Sequence, residues 1–136
     1  MRSLVLLFLA CLWSASSFAD FEQAISNYRT DNFEAAFEGF MEAALEGDHI
    51  AQFNVGVMYY RGQGVPKDVV LAYSWIDLAT EGGDVEMVRA QSYLIVELST
   101  SQIRQGQRMA AARAREHGLA YHLIRESRPA LAVVDR

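Results

Sequence analysis

Thiol chemistry is almost absent from this sequence, because Cys11 is its only cysteine and lies within the first twenty residues. If the chain is cleaved after Ala19, the mature protein has no disulfide and no thiolate, and its stability comes from packing alone. An excess of positive charge is missing too. Seventeen acidic against twelve basic side chains give a formal net charge of −5, which excludes the electrostatic footprint needed to wrap nucleic acid or dock on an anionic membrane. Only two prolines occur, Pro66 and Pro129, and no segment after residue 20 alternates polar and apolar residues as a half-buried strand does. What is present is a chain 51% hydrophobic and 21% charged, the composition of a foldable globular protein. Its 136 residues suit one domain with a modest core.

The N-terminus differs from the rest. Arg2 is a minimal positive region, Leu4 to Trp13 form an apolar stretch, and Ser17-Phe18-Ala19 supplies the small-x-small pattern of a signal-peptidase site. Residues 1–19 therefore read as a cleaved signal peptide and the protein as periplasmic or secreted. The stretch is shorter than the roughly 20 residues of a membrane-spanning helix, so no membrane span is expected after cleavage. A retained anchor and a lipoprotein box at Leu9-Ala10-Cys11 are the alternatives.

From Asp20 on, helical stretches alternate with short turns. Phe33, Ala36, Phe37, Phe40, Ala43 and Ala44 fall at helical spacing after a capping-box pair, Asp31 and Glu34, and Gly47 closes the helix. The design returns 36 residues later. That shift superposes Ala36 on Ala72, Phe37 on Tyr73, Phe40 on Ile76, Ala43 on Ala79, Gly47 on Gly83 and Asp48 on Asp84, with Asp68 as N-cap. Each of these helices follows another, 21–29 and 50–61, ending in Tyr28-Arg29 and Tyr60-Arg61. A third pair is expected from Val85 to about Leu98 and from Ser101 to about His117. Its second helix is capped by Ser99 and Gln102 and striped by Ile103, Gly106, Met109 or Ala110, and Ala114. Leu119 to Arg125 reads as a last short helix, and Pro129 to Arg136 as a frayed tail.

The run from Ala51 to Asp68, AQFNVGVMYYRGQGVPKD, followed by Ala72, Trp75 and Ala79, resembles a Sel1-like repeat, with Val55 where that family has Leu. Tyr28 to Asp48 resembles a half-repeat of the related tetratricopeptide family, and Leu98–Ile103 with Gln107–Ala110 resembles the end of a bacterial Sel1-like array. The resemblance implies an all-α fold, a short α-solenoid of about three antiparallel helix pairs over 20–127, ahead of a flexible tail at 128–136. Together with the signal segment, it leads to the expectation of a Gram-negative cell envelope. The sequence departs from the cysteine-rich branch of the family, whose activities do not carry over. Physics accounts for the motif: Gly56 lets two helices approach, Tyr59 and Trp75 bury rings between pairs, and Gly62-x-Gly64 reverses the chain. Ala51, Asp68, Ala72 and Ala79 complete this structural set.

Catalytic and cofactor signatures are missing. His49, His117 and His122 lack metal-ligand spacing, Gly62-x-Gly64 lacks the third glycine and preceding strand of a dinucleotide loop, and no serine stands in a nucleophile elbow. Glu34, Glu38, Glu42 and Glu46 form a row opposite the apolar stripe, read as a solvated face or a dock for a basic partner. Arg104, Arg108, Arg113, Arg115, Arg125, Arg128 and Arg136 crowd the last third, where cations suit helix C-termini, with guidance of an acidic partner or self-association as the alternative. The expectation is a non-catalytic, cofactor-free adaptor that binds an envelope protein through Asn54, Tyr60 and Arg61, residues on the motif helix that the motif itself does not use. Glycan or peptide binding with weak hydrolysis, and a structural accessory role with self-association, are the alternatives.

Overall fold

A computed structural model describes residues 20–116, which are helical apart from turns and contain no strand. The readings for residues 1–19, for the helix at 119–125 and for the tail at 128–136 lie outside the described residues, as do His117 and His122. The helices are α1 over 20–29, α2 Phe33–Leu45, α3 His49–Arg61, α4 Val69–Ala79, α5 Val85–Glu97 and α6 Thr100–Glu116, with a 3-10 turn at Thr80–Gly82. The 36-residue period is visible in the elements: α2 and α4 begin at 33 and 69, α3 and α5 at 49 and 85.

Antiparallel packing joins α1 to α2 through edge-on contacts of Phe21 with Phe40 (5.6 Å between centroids) and Tyr28 with Phe33 (5.4 Å). Ala36, Phe40 and Ala44 of α2 share a core with Ala51, Val55 and Met58 of α3 and with Trp75 and Leu78 of α4. The buried Gln52 fastens the α2–α3 corner by donating from Nε2 to the Ala44 carbonyl at 3.2 Å. On its other side, α3 lies so close to α4 that a Cβ on Gly56 would stand 2.6 Å from Ile76 Cγ1. The loop between them is held from several sides. Gly62 and Gly64 have φ of 68° and 71°, a Cβ on Gly64 would strike the Phe33 carbonyl, and the Asp68 amide donates to the Tyr59 carbonyl at 3.0 Å. Asp68 then caps α4, accepting from the Leu71 amide at 2.8 Å. The burial of Ala72 to Thr80 without a break makes α4 the centre of the stack.

Two expectations need correction. Asp31 does not open a capping box for α2: Asn32 occupies the N-cap and makes no side-chain cap bond. Asp31 instead closes α1 at φ 60°, in the left-handed position that Gly47 fills after α2, with the Asn32 amide donating to the Asn27 carbonyl at 2.9 Å. The three-residue turn gives Asp31 the left-handed position after α1 and Asn32 the N-cap of α2. The second correction concerns the third pair, whose helices form where expected. The Ser99–Gln102 box is made, with the Ser99 amide donating to Gln102 Oε1 at 2.9 Å, yet α6 packs chiefly on α4, while its Ile103 lies against the cluster that holds Leu94 and Leu98. Seven residues join α3 to α4, whereas only Leu98 and Ser99 join α5 to α6. With so short a connection α6 lays its small-residue stripe, Gly106, Ala110 and Ala114, across the central helix.

Candidate partner-binding ridge at the helix ends

The C-terminal ends of α1, α3 and α5 meet along one edge, where a lattice of polar and aromatic side chains ties them together. Arg61 ends α3, followed by the left-handed Gly62, and its Nη1 donates to the Tyr28 hydroxyl of α1 at 3.0 Å. That hydroxyl donates in turn to Gln63 Oε1 at 2.9 Å. On the other side of α3, the Tyr60 hydroxyl donates to Glu97 Oε1 of α5 at 2.6 Å, and the Lys67 ammonium sits 4.9 Å from the Tyr60 ring centroid. Arg61, Lys67 and Glu97 are exposed, and Tyr28 and Tyr60 are half-buried. The hydrogen bond to the Glu97 carboxylate, and then its charge, raise the Tyr60 pKa above the ordinary tyrosine value.

The structure thus brings Tyr60 and Arg61 into one array but leaves Asn54 apart. Asn54 stands half-buried two turns earlier on the Arg61 side of α3. The two array residues also do more than line a free face, because each bridges α3 to a neighbouring helix. Sequence reasoning missed Tyr28, Gln63, Lys67 and Glu97. A signal for Tyr28 existed in the Tyr-Arg pair that ends both α1 and α3; Glu97, 37 residues from Tyr60, had none.

A second, more buried cluster lies where α6 crosses α4. The Arg113 guanidinium stacks 4.5 Å from the Trp75 ring centroid and donates to Ser74 Oγ at 2.8 Å. Burial lowers its pKa. Arg113 is therefore not simply a solvated partner of the helix dipole. Tyr59, edge-on to Phe37 at 5.3 Å, has its pKa raised by burial, with Arg113 opposing and Asp68 adding to the rise. Trp75 is 2% exposed, Ala51, Ala72 and Ala79 have no exposure, and these residues with Gly56 form the interior. Glu34, Glu38, Glu42 and Glu46 are exposed along α2. Among the described residues no group of three or more His, Cys, Asp or Glu side chains is placed to hold a metal ion, and no helix is long and apolar enough to cross a membrane.

Comparison with known proteins agrees with this architecture. Residues 49–84, from the start of α3 to the N-cap of α5, match the family described as Sel1 repeat. Among solved structures, the fold is similar to that of c5321, a protective antigen present in uropathogenic Escherichia coli strains and displaying an SLR fold, with a TM-score of 0.74 and 21% identity. The match takes in 88% of this chain and 27% of that one, so this chain spans about a quarter of its length. No curated protein matches the chain.

Proposed function

From the match of residues 49–84 to the Sel1 repeat and the similarity to an SLR fold, repeats that generally mediate protein–protein interaction, we propose that this chain is an exported, non-catalytic adaptor that grips an envelope protein along the ends of α1, α3 and α5. The observation that carries the reading is the ridge of Tyr28, Tyr60, Arg61, Lys67 and Glu97, held by bonds between helices. Tyrosine and arginine dominate binding energy at protein interfaces. Side chains already fixed by neighbours lose less conformational entropy on binding than free ones. Export rests on the signal-like composition of residues 1–19, and the envelope is the compartment it leads to.

The test is an in-cell cross-linking pull-down from a fractionated envelope, with the tagged protein carried behind its own N-terminal segment. One stoichiometric protein should be enriched, and Arg61→Glu should abolish its capture while leaving the helical circular dichroism unchanged. Recovery of glycan fragments instead, or capture that Arg61→Glu and Tyr60→Ala both leave intact, sinks the reading.

A further inference from the structure

Apolar side chains line both faces of α5. Met87, Leu94 and Leu98 are buried on the side of α4. On the opposite face, Val85, Val88 and Val96 are 68, 44 and 85% exposed around Ser92. A helix apolar on two faces belongs between two partners, and the repeat identifies what covers the second. The equivalents of Met87 and Leu94 in α3 are Ala51 and Met58, in the core shared with α2. That of Ser92 is Gly56, which lies against Ile76 of α4; those of Val88 and Val96 are Gln52, bonded to the Ala44 carbonyl of α2, and Tyr60, packed on the cluster that α4 and α5 share. This face of α5, which no other described residue covers, is the one that, a repeat earlier, receives a helix over the small residue Gly56. The next helix in the chain, α6, lies on α4 instead.

We propose that α5 of a second copy of this chain supplies the missing helix, running antiparallel across a two-fold axis at Ser92. The stripe is palindromic: Val88 and Val96 stand four residues to either side of Ser92. Antiparallel pairing sets each against the other's counterpart, while the small serine lets the backbones approach. One margin of the stripe reads Glu86, Arg89, Tyr93, Glu97. Inversion about Ser92 brings Arg89, exposed and paired with Glu86 at 2.9 Å, level with the gap between Tyr93 and Glu97 of the second copy. One helix pair covers less than the roughly 800 Å² per partner of a standard interface, so the dimer dissociates on dilution. The inference does not rest on the adaptor reading, although Glu97, at the end of α5, belongs to both surfaces.

Sedimentation velocity over a concentration series tests it on the full chain carrying Cys11→Ser. A dimer is expected at high concentration, lost in Val96→Glu with circular dichroism and melting unchanged. Under mild oxidation Ser92→Cys should form a disulfide-linked dimer and Val85→Cys should not, since two residues 85 lie about 20 Å apart in the antiparallel pair at 1.5 Å rise per residue. A chain that stays monomeric, or a dimer that Val96→Glu leaves intact, overturns the proposal. So does equal cross-linking at Val85→Cys, the mark of a parallel pair. A monomer that Val96→Glu destabilises overturns it in favour of coverage by residues 117–136.

Discussion

Gly56 shows how one missing methyl group sets the distance between two helices. A Cβ there would stand 2.6 Å from Ile76 Cγ1 and 3.0 Å from the Ala72 carbonyl oxygen, so Gly56→Ala must push α3 off α4. It should destabilise by roughly 1–3 kcal/mol, the usual penalty of overpacking, and urea unfolding measures it. Tyr59 makes a different kind of prediction. Its folded pKa lies above the ordinary value, chiefly through burial, and a group raised in this way stabilises fully below its unfolded pKa and loses that contribution as pH rises through the folded value. Tyr60 shifts in the same direction. Melting temperatures should accordingly fall above about pH 10, the unfolded tyrosine value, and less steeply in Tyr59→Phe. A fall identical in wild type and variant would exclude Tyr59 as its source.

At the scale of elements, two aspartates that look alike in sequence behave oppositely. Asp68 caps α4 through the Leu71 amide, and Asp68→Ala should lower stability by about 1 kcal/mol. Asp31 makes no cap bond and holds a left-handed conformation, which glycine adopts without strain, so Asp31→Gly should raise the melting temperature. A drop would show that the side chain contributes something its hydrogen bonding does not reveal. The contrast marks what was legible in the sequence. Apolar spacing and a fixed offset located α2 to α6 within a residue or two, since both are local signals. The role of Asp31 was hidden because the same residue type suits an N-cap and a helix C-terminus, and only turn length decides between them. The partner ridge was half legible: Tyr60 and Arg61 stood out beside the motif, but their bonds to Glu97 and Tyr28 join residues 37 and 33 positions apart, a separation that no local pattern encodes.

For the whole molecule, stability is distributed unevenly around α4. That helix is buried along nearly its entire length, while α5 meets the described fold on one face only. Native-state hydrogen exchange should find the α4 amides slowest and those of α5 among the fastest at low protein concentration. Uniform protection across α3 to α6 would contradict this gradient. The stripe of Gly106, Ala110 and Ala114 was readable from sequence, but its destination was not, because a stripe reports that a helix is covered and not by what. The two-residue link between α5 and α6 decided it. Seen as a growth process, each ordinary helix pair is a template on which the next can be laid, and a link of two residues takes α6 off that lattice. The short link thus marks where α6 leaves the register of the described stack, so that the template face of α5 is one that α6 does not fill.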